Sequence, residues 1–167
     1  YQAILLGCGL GQGADVSGLI RQVLLTTRYP GIPMILDADA LNIMSRIPEW
    51  WLGLRGDVVV TPHLGEMSRL TGKTVGEINA DRLSNAKQWA SQWGKSLVLK
   101  GAYTVISSPS GQARISPFAN PSLSSAGTGD VLAGAVAGLL GQGLSSFDAA
   151  CCAVYLHGVA GEQARLA

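Results

Sequence analysis

The chain has 167 residues, of which 47% are hydrophobic and 14% charged, with a formal net charge of +1. This length predicts one domain with a substantial buried core, and the composition excludes a disordered chain. The near-zero charge gives no electrostatic basis for partners such as nucleic acid or a membrane surface. The three cysteines form no disulfide framework, and neither a signal peptide nor a membrane-length apolar run is found, so we expect a cytoplasmic protein.

Short apolar runs alternate with helical patterns, which predicts an α/β fold with a parallel sheet covered by helices. The predicted strands are Gln2–Leu6, Pro33–Leu36, Val58–Val60 and Leu97–Leu99, followed by a hairpin from Thr104–Ser107 to Gln112–Ile115. The predicted helices are Val16–Thr27, Ala40–Arg46, Leu64–Leu70, a helical spacing from Leu83 through Gly94, Asp130–Leu140 and Phe147–Leu166. Thr74 and Glu77 resemble a capping box. The first strand opens without a lead-in and the last helix still runs at Ala167, so we expect residues 1–167 to be one domain cut from a longer protein.

Glycines and polar residues follow each predicted parallel strand. They are Gly7-Cys8-Gly9-Leu10-Gly11, Asp37-Ala38-Asp39, Thr61-Pro62-His63 and Lys100-Gly101. Ligands of open parallel sheets bind beyond the carboxyl ends of the strands, so we expect the functional site at this edge.

Several residues at this edge have two interpretations. Gly9 and Gly11, with Ala14 and then Asp37 23 residues later, come close to the dinucleotide-binding fingerprint of a dehydrogenase. Asp37 and Asp39, with Asn42, could meet a magnesium ion through water or fix a ribose hydroxyl, or one acid could cap the next helix.

The residues after the third and fourth predicted strands also have two interpretations. His63 could hydrogen-bond a polar ligand and Glu66 could reach a metal-bound water, although both are ordinary residues at a helix start. Lys100 could meet nucleotide phosphates, with the Gly101 and Ala102 backbone along the adenine or ribose, although lysine commonly ends exposed strands.

A loop of small residues leads directly into an apolar helix at Ser125–Gly134, read S-A-G-T-G-D-V-L-A-G. Gly127 and Gly129 allow a close backbone approach, and the helix start favours a phosphate. Asp130 either acts on a hydroxyl beside a phosphoryl group or caps the helix. Core or subunit contacts are the expected role of the tryptophans at positions 50, 51, 89 and 93, and a structural role is expected for His157.

Five segments, in this order and spacing, resemble the ADP/ATP-dependent NAD(P)HX dehydratases of the ribokinase-like superfamily. They are G-C-G-L-G, I-L-D-A-D-A-L-N, T-P-H-L-G-E-M-S-R-L-T-G, L-K-G-A-Y-T-V-I and N-P-S-L-S-S-A-G-T-G-D-V-L-A-G, spread over about residues 7–157. The family usually has proline in place of Cys8, and Gly and Ala-Thr in place of Ser122 and Ser124-Ser125. Small kinases of thiamine and pyridoxine biosynthesis share G-T-G-D, but T-P-H with G-E and D-A-D-A-L-N favour the dehydratases.

The resemblance implies a three-layer ribokinase-like sandwich that restores NADHX and NADPHX to NADH and NADPH. The reaction would consume ADP or ATP with Mg²⁺, phosphorylating the hydrate hydroxyl and then eliminating phosphate. The resemblance also implies a homotetramer and, in many bacteria, fusion to an epimerase domain.

The resemblance implies these roles for individual residues. Nucleotide contacts fall on Lys100, Gly101, Ala102, Tyr103, Thr104 and Gly129, and hydrate contacts fall on Gly11, His63 and Asp130. Asp130 would be the base, with Gly127, Thr128 and Gly129 as an anion hole. No residue is expected to bind the metal directly, whereas Asp37, Asp39, Asn42 and Glu66 are candidates for holding its water.

Overall fold

The computed structural model describes residues 1–25 and 31–166. Its elements, in chain order, are β1 (Ile4–Leu6), α1 (Ala14–Leu25), β2 (Met34–Leu36), α2 (Ala38–Met44), α3 (Trp50–Gly53), β3 (Val58–Val60), α4 (Leu64–Thr71), α5 (Val75–Ala80), α6 (Arg82–Trp93), β4 (Ser96–Leu99), β5 (Val105–Ser107), β6 (Ala113–Ile115), a 3-10 turn (Pro121–Ser124), α7 (Thr128–Gly141) and α8 (Ser146–Leu166). All six predicted strands are confirmed. The predicted end of the first helix, Thr27, lies outside the described residues. The four-residue α3 and the 3-10 turn were not predicted.

The six strands form one sheet in the order β1-β2-β3-β4-β5-β6. Strands β1 to β4 run parallel, and β5 and β6 add an antiparallel hairpin at one edge. This confirms the predicted mostly parallel sheet with its hairpin. In the doubly wound dinucleotide fold the strand order reverses at the binding crevice. The continuous order seen here argues against the dehydrogenase interpretation of Gly9 and Gly11.

Successive side chains of the parallel strands enter two separate cores. Met34 and Leu36 of β2 pack into the core formed with α1 to α6, whereas Ile35 between them packs against α7 and α8. The period of two residues along a strand produces this division, and β1 to β3 are apolar throughout because both faces of the sheet are covered. The result is a three-layer sandwich.

The tryptophans belong to the first of these cores. Trp50, Trp89 and Trp93 are buried, and Trp51 packs partly buried against the same cluster. The Trp50 and Trp93 ring centroids lie 5.0 Å apart, and those of Trp89 and Trp93 lie 5.4 Å apart. Their predicted role in the core is confirmed.

Helices α7 and α8 cover the second face of the sheet. Gly158 of α8 lies so close to Phe118 that a Cβ would overlap the phenyl ring.

Although α8 has 21 residues, no helix in the described ranges is both long and apolar enough to cross a membrane.

Gly7 directly follows β1, at a point where the backbone comes close to that of Asp37. Its φ is +126°, and a Cβ at this position would overlap the carbonyl oxygen of Asp37. The Gly7 carbonyl also accepts a hydrogen bond of 3.3 Å from the N–H of Asp39. Only glycine allows β1 to approach the start of α2 in this way.

We predict that Gly7→Ala lowers the free energy of unfolding by about 3 kcal/mol or more, because both its φ and its contacts exclude a side chain. Chemical denaturation measures this change. Gly18→Ala is the matched control, because Gly18 lies within α1 with open space around its Cα. It should raise the free energy of unfolding by about 0.5–1 kcal/mol. Equal stability of the two variants would contradict the packing described here.

Candidate active site

The loops that follow the parallel strands lie side by side. Backbone hydrogen bonds continue beyond the strands, from the N–H groups of Asp37, Thr61 and Lys100 to the carbonyls of Leu6, Leu36 and Pro62, at 3.1, 3.1 and 2.8 Å respectively. The structure therefore confirms that these loops lie together at one edge of the sheet.

A buried ion pair lies at the centre of this edge. The Lys100 Nζ lies 2.6 Å from Asp37 Oδ1 and 3.9 Å from Glu66 Oε2. Asp37 is 1% exposed and Glu66 4% exposed, so the ammonium is the charge partner that allows both carboxylates to be buried. Burial raises the pKa of the Glu66 carboxyl, while the His63 N–H and Lys100 oppose that shift. Lys100, expected to meet phosphates, thus already neutralises an acid of the protein.

His63 is the N-cap of α4. Its Nδ1 accepts hydrogen bonds from the N–H groups of Gly65 at 3.0 Å and Glu66 at 3.4 Å, and Glu66 Oε2 accepts one from the His63 N–H at 2.8 Å. This reciprocal arrangement is a capping box with histidine in the place of serine. Because Nδ1 is an acceptor, the neutral ring carries its proton on Nε2, and the side chain is 55% exposed. His63 therefore fills its structural role and still offers a donor to a ligand.

The capping geometry requires a neutral His63. Burial lowers the pKa of His63, and the nearby charges of Lys100 and Arg69 lower it further. Because the pKa of His63 is lower in the folded protein than its ordinary value of 6.5, the neutral ring stabilises the folded state, and this contribution is complete above pH 6.5. That stability is lost as the pH falls through the folded value.

We predict that the melting temperature of the wild type falls between about pH 7.5 and pH 5.5, in part because the unfolded chain takes up a proton on His63 in this range while the folded protein resists it. His63→Asn keeps an N-cap acceptor that does not titrate, so its melting temperature should fall less over the same range. Thermal unfolding followed by circular dichroism at several pH values measures the difference. His157 remains in both proteins, and burial lowers its pKa as well. Equal losses in the two proteins would contradict the role of His63.

Asp39 and Asn42 bind other parts of the protein. Asp39 Oδ2 accepts a hydrogen bond of 2.8 Å from the N–H of Gly11, and its Oδ1 accepts one of 3.0 Å from Gln12 Nε2. The amide oxygen of Asn42 accepts from Arg69 Nε at 2.8 Å and joins α2 to α4. Asp39 thus anchors the loop that carries Gly11. Asp37 occupies the N-cap position of α2 but its side chain makes no capping hydrogen bond, and Asp39 lies in the first turn, so the alternative that one of these acids caps the helix through its side chain is wrong.

Asp130 lies in the first turn of α7, with its side chain near the ion pair. The N-cap of this helix is Gly127, at a φ of +88°, so the alternative that Asp130 caps the helix is wrong. Ligand atoms of Asp130, Asp37 and Cys8 all lie within 4.8 Å of one another. Burial and a hydrogen bond to Asp130 raise the pKa of the Cys8 thiol to about 12. Cys8, one of the residues that depart from the pattern of the resembled family, is therefore a neutral donor to Asp130 near neutral pH.

The first turn of α7 also touches the ion pair. A Cβ on Gly129 would lie 3.4 Å from Lys100 Nζ and 3.9 Å from Asp37 Oδ2. The hydroxyl of Thr128 donates to the carbonyls of Leu123 at 2.7 Å and Ser125 at 2.8 Å, and so fixes the turn before the helix. The free N–H groups at this helix start favour an anion beside Lys100.

A cavity of about 290 Å³ opens next to Lys100. Six of the residues expected to contact a nucleotide line it, namely Lys100, Gly101, Ala102, Thr104, Thr128 and Gly129. Tyr103 and Gly127 are not among the lining residues. Tyr103 has a φ of +53° and donates its N–H to the Phe118 carbonyl at 2.8 Å, with its side chain exposed.

The other walls of the cavity were not expected from the sequence. They come from the loop after β6, including Phe118 and Asn120, and from His157 of α8. His157 hydrogen-bonds the backbone of Thr128, so its structural role brings it to the cavity wall. The apolar pattern of α8 gave no signal that this histidine faces a cavity.

Comparisons with known proteins point to one family. A family model described as NAD(P)H-hydrate dehydratase matches residues 1–167. A bifunctional NAD(P)H-hydrate repair enzyme from Moorella thermoacetica is 44% identical over 96% of this chain and 30% of its own length. An ADP-dependent (S)-NAD(P)H-hydrate dehydratase from Neisseria meningitidis is 40% identical over 96% of this chain and 54% of its own length. The chain therefore spans about half, or less, of these relatives.

Solved structures share the fold. An ADP/ATP-dependent NAD(P)H-hydrate dehydratase from Bacillus subtilis, co-crystallised with ATP/Mg²⁺ and soaked with CoA, superposes with a TM-score of 0.83 and 40% identity. The match covers 98% of this chain and 57% of that one. A ribokinase-like superfamily protein from Enterococcus faecalis also gives a TM-score of 0.83, at 30% identity over 99% of this chain and 56% of that one. The three-layer sandwich is therefore ribokinase-like, as the sequence predicted.

Proposed function

The chain belongs to the NAD(P)H-hydrate dehydratase family, and from this membership we propose that it restores NADHX and NADPHX to NADH and NADPH using ADP or ATP. One observation carries the proposal. Asp130 and the Asp37–Lys100 ion pair lie beside a cavity whose lining includes Lys100, Gly129 and the turn after β4. This arrangement supports a role for Asp130 in removing a proton beside a polyphosphate held in the cavity.

The nucleotide would occupy the cavity, with its phosphates toward α7. The turn at Lys100–Thr104 would contact the adenosine part, and the Lys100 ammonium lies where the phosphates would arrive. Gly127, Thr128 and Gly129 begin α7, and the N–H groups of this first turn would stabilise the charge on the transferring phosphoryl group. The absence of a side chain at Gly129 leaves room for that close approach.

The hydrate would bind on the other side of Asp130, toward Gly11 and the Nε2 donor of His63. Asp130 would take the proton of the hydrate hydroxyl as its oxygen bonds to the terminal phosphorus, and the bond from phosphorus to the departing nucleotide breaks. In the second step the carbon–oxygen bond breaks and phosphate leaves, while the neighbouring carbon loses a proton. The ring double bond of NADH or NADPH forms between these two carbons.

Magnesium fits this site through water and phosphate oxygens. Asp37, Glu66 and Asp130 supply the carboxylate oxygens that this cation prefers, but the Cys8 thiol and Lys100 ammonium in the same cluster disfavour direct coordination. We propose that Asp37 Oδ2 and Glu66 Oε1 would hold its water, because the other oxygen of each carboxylate already accepts a protein hydrogen bond. Both oxygens of Asp39 and the amide oxygen of Asn42 are engaged in the same way. When bound, the ion would neutralise charge on the phosphates.

We further propose that the intact protein works in the cytoplasm and assembles as a homotetramer. The bifunctional names of several relatives support a second domain in the intact protein, and an epimerase is the activity that the sequence resemblance implies for it. Light scattering of the purified protein tests the tetramer.

We predict that Asp130→Asn lowers the rate of NADH formation from NADHX, ADP or ATP, and Mg²⁺ by at least about a hundredfold. An amide cannot accept the hydroxyl proton, whereas the cavity is unchanged, so the nucleotide dissociation constant should stay within about threefold. NADH absorbance and isothermal titration calorimetry on the intact protein measure the two quantities.

Asp15→Asn is the matched control, since Asp15 is also an exposed acid in the first turn of a helix but lies in α1. Its rate should equal that of the wild type. A fully active Asp130→Asn protein would overturn the role of Asp130. A wild type that forms no NADH with either nucleotide would overturn the proposed activity.

A further inference from the structure

Arg82, the first residue of α6, reaches across to the turn that follows β4. Its Nη2 donates to the carbonyls of Leu99 at 2.9 Å and Lys100 at 3.3 Å, and its Nη1 donates to the carbonyl of Ala102. A single guanidinium therefore holds three carbonyls within four consecutive residues. Among the described residues, the other side chain that holds a carbonyl of the turn at 99–102 is that of Thr104, whose Oγ1 donates to the Gly101 carbonyl at 2.9 Å.

This guanidinium is a half-buried charge without an acidic partner among the described residues. Across residues 1–25 and 31–166, no carboxylate oxygen lies within 4.0 Å of Arg82, and its Nε is buried without a hydrogen-bond partner. Burial lowers the pKa of Arg82, which reflects the cost of holding the charge there. Carbonyl dipoles compensate it in part, so positive charge remains beneath the turn.

The three carbonyls determine where the next N–H groups point. In a trans peptide the C=O and the following N–H are antiparallel, and no peptide bond described here is cis. The N–H groups of Lys100, Gly101 and Tyr103 therefore point away from the guanidinium. Those of Lys100 and Tyr103 donate to Pro62 and Phe118, each at 2.8 Å. The Gly101 N–H has no acceptor among the described residues.

The turn is shaped around this arginine. Gly101 has a φ of +142°, and a Cβ on it would lie 3.1 Å from Arg82 Nη2. Gly101 itself lines the cavity beside Lys100. The guanidinium and the cavity thus flank the same glycine, and the unpaired N–H points to the side away from Arg82.

We propose that Arg82 is a positioning residue for nucleotide binding. It holds the carbonyls of the turn on one side, which leaves the Gly101 N–H available to an acceptor oxygen of the nucleotide. Its partly compensated charge also favours an anionic ligand at the cavity. The identity of the ligand as a nucleotide rests on the proposed function. The hydrogen bonds from Arg82 to the turn are present without any ligand.

The test compares Arg82→Met and Arg82→Lys with Lys87→Met in the intact natural protein. Lys87 is an exposed cation on the same helix, and it serves as the matched control. Hydrogen–deuterium exchange of peptides covering residues 99–104, followed by mass spectrometry, reports on the turn without ligand. Calorimetry with ADP and steady-state kinetics report on nucleotide binding.

Arg82→Met should speed exchange in this segment and weaken ADP binding about tenfold or more, because the forked donor is lost. The nucleotide KM should rise, while the KM for the hydrate stays within about twofold. Arg82→Lys should recover only part of the affinity, since an ammonium cannot reproduce the fork. Lys87→Met should match the wild type in every measurement.

Unchanged exchange in Arg82→Met would show that the arginine does not hold the turn. Faster exchange with unchanged ADP affinity would show that the turn does not serve the nucleotide, and either result overturns the inference. If the wild type dehydrates NADHX, and Arg82→Met raises the KM for the hydrate as much as the KM for the nucleotide, the proposed role in nucleotide binding would also be overturned. A wild type that binds no nucleotide would instead contradict the proposed function, and the exchange result would still decide whether Arg82 holds the turn.

Discussion

The ion pair between Asp37 and Lys100 connects the two sides of the candidate active site. Asp37 follows β2 and Lys100 follows β4, with β3 between them, and their charged atoms lie 2.6 Å apart. A buried pair adds little net stability, but removing one partner leaves an uncompensated charge that costs about 3–5 kcal/mol. The same ammonium lies near Glu66 and against Gly129, so it fixes the acids and the start of α7 relative to one another.

The division of the sheet into two cores explains why two different ligands could meet at this edge. Helices α2 and α4 approach it from one face and carry Asp39, His63 and Glu66. Helices α7 and α8 approach from the other face and, with the turn after β4, enclose the cavity. In the proposed reaction the hydrate lies on the first side and the nucleotide on the second. Asp130, near the ion pair between them, is then the group that can act on both.

Much of this arrangement could be predicted because strands and helices have characteristic periods, and parallel strands end at one edge. Contacts between distant residues could not. Nothing in the chain indicates that Lys100 pairs with Asp37, 63 residues away, or that Arg82 reaches under the turn after β4. The His63 and Glu66 spacing did carry the capping-box signal, although histidine is an unusual cap. Helix α3 has only four residues, too few for any period to be recognised.

In the proposed reaction, phosphoryl transfer and elimination occur in one site, on one hydrate molecule. The most direct measurement is the stoichiometry of NADH and inorganic phosphate formed by the intact protein from NADHX, Mg²⁺ and ATP or ADP. We predict one phosphate for each NADH, with no accumulation of a phosphorylated hydrate. A stable phosphate ester, or NADH formed without release of phosphate, would contradict it.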